Sequence, residues 1–167
     1  MARVYIGLGS NLDNPRQQLD RARQALDALP GVVLLADSGV YRSPAMTLPD
    51  DPEPQPDYLN AVISLQTDLS PHELLHSLQA IEAAQGRVRH RTWGPRTLDL
   101  DILMYDDLQL QDAQLTIPHA GIAERDFVLL PLNAIDNSLV IPGLGPVSEL
   151  IARLPEGRLE YLGPLHE

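Results

Sequence analysis

The chain contains no cysteine. That excludes a thiol nucleophile, thiolate zinc ligands and a disulfide framework, and it suits a reducing compartment. Lysine is missing as well, because all 12 basic residues are arginine. A Walker A loop and a protein-kinase site both set lysine on phosphate, so any nucleotide chemistry here follows another design. Aromatics are few, with one Trp, five Tyr and one Phe in 167 residues. No apolar run approaches the roughly 18 residues of a membrane helix, and the opening MARVYIGLGSNL lacks the basic-then-apolar pattern of an export signal. The expected location is the cytoplasm, without membrane attachment. Positive charge is outweighed by negative, and a net charge of −11 argues against a nonspecific nucleic-acid surface.

What is present suits one globular domain spanning 1–167. Its densest chemistry lies between Arg87 and Tyr105, RVRHRTWGPRTLDLDILMY. Four arginines (Arg87, Arg89, Arg91, Arg96) surround Trp93, Gly94 and Pro95, a composition that reads as a shaped loop. The residues after it alternate, which predicts a strand with Leu98, Leu100, Ile102 and Met104 on one face and Asp99, Asp101, Leu103 and Tyr105 on the other. Two carboxylates side by side repel, so the pair needs a cation. A hard divalent ion fits, and arginine is the side chain that grips the phosphates such an ion carries. A salt-bridged surface would explain the loop or the acidic face taken singly, but explains their succession less well.

Elsewhere, Val4 to Gly9 reads as a buried strand ending at a Gly-Ser-Asn turn, and its Gly7-Leu8-Gly9 lacks the third glycine of a phosphate loop. Asn11 or Asn14 is placed to cap a helix with Pro15 near its start and Leu19, Ala22, Leu26 and Leu29 along one stripe, stopped at Pro30-Gly31. Val32 to Ala36, extending toward Tyr41, has strand composition. Residues 43–57 carry five prolines and the acids Asp50, Asp51, Glu53 and Asp57, and read as a spacer or a functional loop. Tyr58 to Thr67 alternates, with Leu59, Ala61, Ile63 and Leu65 opposite Tyr58, Asn60, Val62, Ser64 and Gln66. Ser70-Pro71-His72-Glu73 is a capping box opening a helix with Leu74, Leu75, Leu78 and Ile81 inward, ended at Gly86. The order strand, helix, strand, strand, helix, strand is that of an α+β, ferredoxin-like split βαβ unit, a mainly antiparallel sheet with helices packed on a face. Further on, Leu108 to Ile117 suggests a hairpin, Phe127 to Ile135 is apolar without a decisive period, Pro146 to Leu154 suggests a short helix and Arg158 to Leu162 a last strand.

His72-Glu73-Leu74-Leu75-His76 matches HExxH, in which two histidines one turn apart bind zinc. Glu73 is already required by the capping box and the leucines by the core. No third ligand falls at a usual spacing, and the motif is read as structural.

Several stretches together resemble the 6-hydroxymethyl-7,8-dihydropterin pyrophosphokinases of folate biosynthesis: Tyr5-Ile-Gly-Leu-Gly-Ser-Asn11, Tyr41-Arg-Ser-Pro44, Tyr58-Leu-Asn60, Ile81-Glu82 with Gly86-Arg87, Trp93-Gly-Pro-Arg-Thr-Leu-Asp-Leu-Asp101, and Ile117-Pro-His119 with Arg125-Asp-Phe-Val-Leu129. The resemblance spans nearly the whole chain. It implies transfer of the terminal diphosphate of ATP to the pterin hydroxymethyl group, giving AMP. It implies two Mg²⁺ ions at Asp99 and Asp101, with Arg87, Arg96 and His119 beside the reacting phosphates. Gln79, Glu82, Arg89, Trp93, Ile102, Thr116 and Arg125 match positions around ATP. Tyr58 and Phe127 are expected to sandwich the pterin, with Asn60 and the backbone near Gly9, Ser43 and Met46 completing its recognition. Thr92 stands directly before Trp93 where the family commonly has arginine, and Arg91 lies one place earlier. The expected partners are ATP and the pterin acting on a monomer. The rival is an RNA-binding domain on the same scaffold, which would display aromatics on an open sheet face over a basic surface.

Overall fold

Val4, Ile6 and Leu8 alternate with Tyr5, Gly7 and Gly9 along β1 (Ala2–Ser10), and the two sets face different surroundings. In the computed structural model, which describes residues 1–11, 14–43, 57–85, 98–154 and 159–165, this strand lies at the heart of a six-stranded sheet. The others are β2 (Val32–Asp37), β3 (Val40–Ser43), β4 (Tyr58–Thr67), β5 (Asp99–Tyr105) and, in chain order after four short strands still to be placed, β10 (Glu160–Gly163). The order is β10–β3–β4–β1–β5, with β2 also on β4, and every ladder is antiparallel. The region expected as one strand from Val32 toward Tyr41 is thus two, split at Ser38-Gly39, where Gly39 adopts a φ of 77°. Both parts pair with β4, which is long enough to hold them end to end.

One face of the sheet packs on α1 (Pro15–Asp27) and α2 (Pro71–Ala84). Leu19, Ala22 and Leu26 of α1 and Leu74, Leu78 and Ile81 of α2 meet Val4, Ile6, Leu8, Ala61, Ile63, Leu65, Leu100 and Ile102, all buried. Each fully buried side chain of this size contributes about 1.5–3 kcal/mol. The α2 cap is the expected one: Ser70 Oγ accepts the Glu73 N–H, and the Glu73 carboxylate accepts the Ser70 N–H. The α1 cap differs. Asn14 takes a left-handed φ of 61° and makes no side-chain cap bond, so the helix start rests on Pro15 at its first turn.

The other face is covered as well, by a layer not anticipated from a ferredoxin-like pattern alone. A hairpin of β6 (Leu110–Gln111) and β7 (Thr116–Ile117) leads through a 3-10 turn (Ile122–Glu124) into α3 (Asp126–Ile135). A second hairpin of β8 (Val140–Ile141) and β9 (Gly145–Pro146) then leads into α4 (Val147–Ala152). Val128, Leu129, Leu132, Val147 and Leu150 pack on Tyr5, Val62, Leu103 and Met104. Pro131 inside α3 obscures its period, since proline costs a helix interior about 3 kcal/mol. Burying Val128, Leu129 and Leu132 contributes roughly 5–9 kcal/mol, which is why the helix forms regardless. Among the described residues no helix is long and apolar enough to cross a membrane.

The faces of β5 need one correction. Asp99, Asp101 and Leu103 do share a face, and Leu100 and Ile102 share the other. The register with β1 then jumps from Ile6–Ile102 to Tyr5–Met104, skipping Leu103. This β-bulge resets the alternation, so Met104 packs beneath α3 with Leu103, while Tyr105 turns to the α2 side and donates its hydroxyl proton to the Leu69 carbonyl at 2.5 Å. The expected grouping of Met104 with Leu100, and of Tyr105 with the acids, fails at that point only.

Removing the Ser70 hydroxyl tests the reading of α2. Ser70→Ala should cost about 1 kcal/mol in urea unfolding at neutral pH. Hydrogen bonds from Ser70 hold the Glu73 carboxyl below its usual pKa, so its share of the cap is present above the unfolded value and fades as pH falls through the folded one. The stability gap between wild type and variant should accordingly narrow in acid.

Candidate active site

The end of β1 that carries Gly7 and Gly9 is bare on the face opposite the α1–α2 core. Its neighbours are not. Across one ladder Gly9 pairs with Asp99 and Gly7 with Asp101; across the other Gly9 pairs with Asn60 and Gly7 with Val62. Directly paired residues in antiparallel strands share a face, so two carboxylates and an amide flank a floor made of backbone. Side chains on that floor would fill it. A Cβ on Gly9 would lie 3.3 Å from Asn60 Oδ1, and one on Gly7 3.3 Å from the Leu103 side chain. Gly7-Leu8-Gly9 is therefore no phosphate loop but a strand segment blank on one side, a pattern that period-two reading of the sequence already contains.

On the Asn60 side the geometry is fixed by a buried hydrogen bond. Asn60 Nδ2 donates to Ser43 Oγ at 2.7 Å, and both residues are almost wholly inaccessible. Ser43 pairs with Tyr58, which is half-buried two residues along β4 from Asn60, with its ring beside Gly9. The amide is thereby held with its oxygen toward the glycine floor.

On the carboxylate side a rim descends from the segment after β7. The His119 N–H donates to the Leu103 carbonyl at 3.0 Å, and the His119 carbonyl accepts the Ile122 N–H at 3.0 Å. Its ring Nδ1 accepts the Gly121 N–H at 3.2 Å, so the neutral ring carries its proton on Nε2, 3.8 Å from Asp101 Oδ1. Burial pushes the His119 pKa below the ordinary histidine value; Asp101 opposes that shift and Arg125 adds to it. The Arg125 guanidinium sits over the Phe127 ring, 5.7 Å from its centroid, close enough for a cation–π contact.

The remaining expected residues are more scattered. Glu82, buried on the last turn of α2, accepts the Leu100 N–H at 2.8 Å and so anchors the strand that carries both acids. The Ile102 side chain is buried in the α1–α2 core, on the face of β5 away from Asp101, and only its backbone can meet a ligand. Gln79 is exposed on α2 and Thr116 is half-buried on β7. Arg87, Arg89, Trp93, Arg96 and Met46 lie outside the described residues, as do Arg91 and Thr92. Gly121 was not singled out by sequence reasoning, since nothing local distinguishes it from any loop glycine.

The HExxH match is accounted for by other contacts. His72 Nε2 lies 2.8 Å from Asp112 Oδ2 of the β6–β7 turn, Glu73 is in the cap and His76 is exposed. Among the described residues no group of three or more His, Cys, Asp or Glu is placed to hold a metal ion.

Residues 5–137 match the family model of 7,8-dihydro-6-hydroxymethylpterin-pyrophosphokinase. The chain belongs to this family. It is 44% identical over 164 residues to the 2-amino-4-hydroxy-6-hydroxymethyldihydropteridine pyrophosphokinase of Haemophilus influenzae, covering 98% of this chain and all of that one. Its likeness to the enzyme of the same name from Pseudomonas aeruginosa is 44% over 160 residues, 96% of each chain. Among solved structures, wild-type Plasmodium falciparum HPPK-DHPS with pteroate superposes with a TM-score of 0.69 at 14% identity. That match covers 91% of this chain and 42% of the longer one, and it bears on the fold alone.

In the free protein the NMR titration midpoint of His119 should fall below the ordinary histidine value of about 6.5. Asp101→Asn should lower it further and Arg125→Ala should raise it, because the first removes the charge that favours imidazolium and the second one that opposes it. An unfolded chain takes up this proton first, so His119 makes stability decline as pH drops from the unfolded value through the folded one. Replacing His72 and His76 together by Gln should leave turnover within a few-fold and reveal no stoichiometric zinc by metal analysis; one zinc lost in the double variant would reverse the structural reading.

Proposed function

We propose that this chain transfers the terminal diphosphate of ATP to the hydroxymethyl group of 6-hydroxymethyl-7,8-dihydropterin, releasing AMP, with two Mg²⁺ ions held at Asp99 and Asp101. Family membership and the names of the relatives support the reaction and its two substrates. The observation that carries the site is the paired carboxylates beside a side-chain-free strand floor, with a clamped amide across it.

The donor set fits the ions. Mg²⁺ is usually held by one or two carboxylates with substrate phosphates completing its shell, rather than by an all-protein cage. Asp99 and Asp101 supply two such carboxylates, one of them about half exposed. Held there, Mg²⁺ would neutralise phosphate charge and make the substrate hydroxyl more acidic.

The chain's own groups do the positioning. Asn60, fixed by Ser43, presents donor and acceptor to the amide-like edge of the pterin, and Tyr58 and Phe127 offer aromatic faces to its rings. Phe127 already carries Arg125 against its ring, which ties the pterin wall to the nucleotide side. The hydroxymethyl oxygen gives up its proton to solvent and forms a bond to the β-phosphorus as the bridge to the α-phosphate breaks, and AMP leaves. Charge grows on the equatorial and bridging oxygens, where Arg125 and the Nε2–H of neutral His119 can donate without reorganising. Arg87 and Arg96 are assigned to the same phosphates, with Gln79, Glu82, Arg89, Trp93, Ile102 and Thr116 around the nucleotide and Met46 near the pterin. The protein is read as a cytoplasmic monomer acting on small molecules. The RNA-binding alternative asks for a basic surface, which a net charge of −11 opposes.

AMP release in the presence of ATP, Mg²⁺ and the dihydropterin is the direct assay. Asp99→Asn and Asp101→Asn should each cut turnover by roughly 10²- to 10⁴-fold. Circular dichroism should be unchanged, since removing one of two like charges relieves repulsion. Near wild-type rates in either variant at millimolar Mg²⁺ would exclude the metal role assigned to these residues.

A further inference from the structure

Gly121 sits between the two rim residues in sequence and against both in space. Its N–H donates to His119 Nδ1 and its carbonyl accepts the Glu124 N–H. Its φ of −99° and ψ of 10° are open to any L-residue, so the backbone does not require glycine here. Space does. A Cβ at this position would lie 2.7 Å from Arg125 Nε, 3.0 Å from its Cζ and 3.1 Å from Nη2, well inside van der Waals contact. The guanidinium thus occupies the volume that a side chain on residue 121 would fill, with the Phe127 ring as its other support.

We propose that Gly121 is a positioning residue for pyrophosphoryl transfer: its missing side chain seats the Arg125 guanidinium on the rim beside His119 and Phe127. The proposal rests on the reading of Arg125 as a nucleotide contact. Because the obstructed atoms are the far end of a flexible side chain, an added methyl moves the guanidinium and leaves the turn in place. Alanine keeps the N–H that bonds His119 and the carbonyl that bonds Glu124. The substitution therefore separates the placement of Arg125 from the architecture of the rim.

The experiment compares wild type, Gly121→Ala, Arg125→Ala and the double variant in the complete reaction with Mg²⁺. Gly121→Ala should keep or slightly raise Tm, as expected for alanine at a compatible backbone. It should raise KM for ATP about ten-fold, the scale of one charge-assisted hydrogen bond, while KM for the pterin changes little. In the Arg125→Ala background the same methyl should add nothing. The Arg125 Nε–Hε resonance, which reports the surroundings of the guanidinium, should shift in Gly121→Ala without nucleotide. An unmoved resonance, or a KM effect that persists in full when Arg125 is absent, overturns the positioning role. A moved resonance with an unchanged KM for ATP in both Gly121→Ala and Arg125→Ala instead overturns Arg125 as a nucleotide contact, and the claim on the reaction falls with it.

Discussion

The alternation of side chains along β1 is the constraint on which the rest of the structure depends. Val4, Ile6 and Leu8 bind this strand to two helices, while Gly7 and Gly9 leave the other side of the same backbone open. Glycine within a strand weakens it, by roughly 0.5–1 kcal/mol each relative to alanine. The central position offsets that loss, because β1 is paired along both edges and its apolar face is fully buried. A blank surface is affordable only where the opposite face holds the strand in place. Every feature assigned to the site is then measured from that floor: the acids one strand over, the amide one strand back.

Much of this was legible because it depends on local rules. The Ser70–Glu73 cap, the apolar stripe of α2 and the two faces of β4 follow from spacing and side-chain chemistry, and the structure places them as expected. The shared face of Asp99 and Asp101 was legible for the same reason. The bulge at Leu103 was not, since a skipped residue leaves no mark on an apolar run, and Leu103 and Met104 are equally suited to either face. α3 was obscured by Pro131, whose cost is local while the packing that overrides it comes from Tyr5, Val62 and Met104 far away in sequence. Asn14 shows the converse, a good capping residue whose backbone conformation leaves its side chain out of the cap.

The site divided along the same line. Residues on paired strands were placed by register, whereas the rim depended on how the segment from His119 to Phe127 folds back. No spacing rule brings His119 within 3.8 Å of Asp101, or lays Arg125 over both Gly121 and Phe127. The resemblance of the motifs supplied the membership of this group. What holds it together is tertiary: the Gly121 N–H on His119 and the Phe127 ring beneath Arg125. The HExxH match illustrates the opposite error, a formally complete pattern whose members are engaged by Asp112, by the cap and by solvent.

The edge position of β5 links these two halves. An edge strand exposes unpaired backbone groups and invites misplaced pairing unless something covers them. Here the outward groups are used to build the site. The Leu100 N–H is taken by the buried carboxylate of Glu82, and the Leu103 carbonyl by the N–H of His119. The first bond fixes the strand at the residue between the two acids; the second ties the rim histidine to the same strand two residues beyond Asp101. A shift of β5 would therefore carry Asp101 and His119 together, preserving their separation. Catalytic geometry is sensitive to displacements on the order of 1 Å. For the roles proposed for Asp101 and His119, mounting both on one strand limits their relative displacement, and the bulge falls at Leu103, the residue whose carbonyl holds His119.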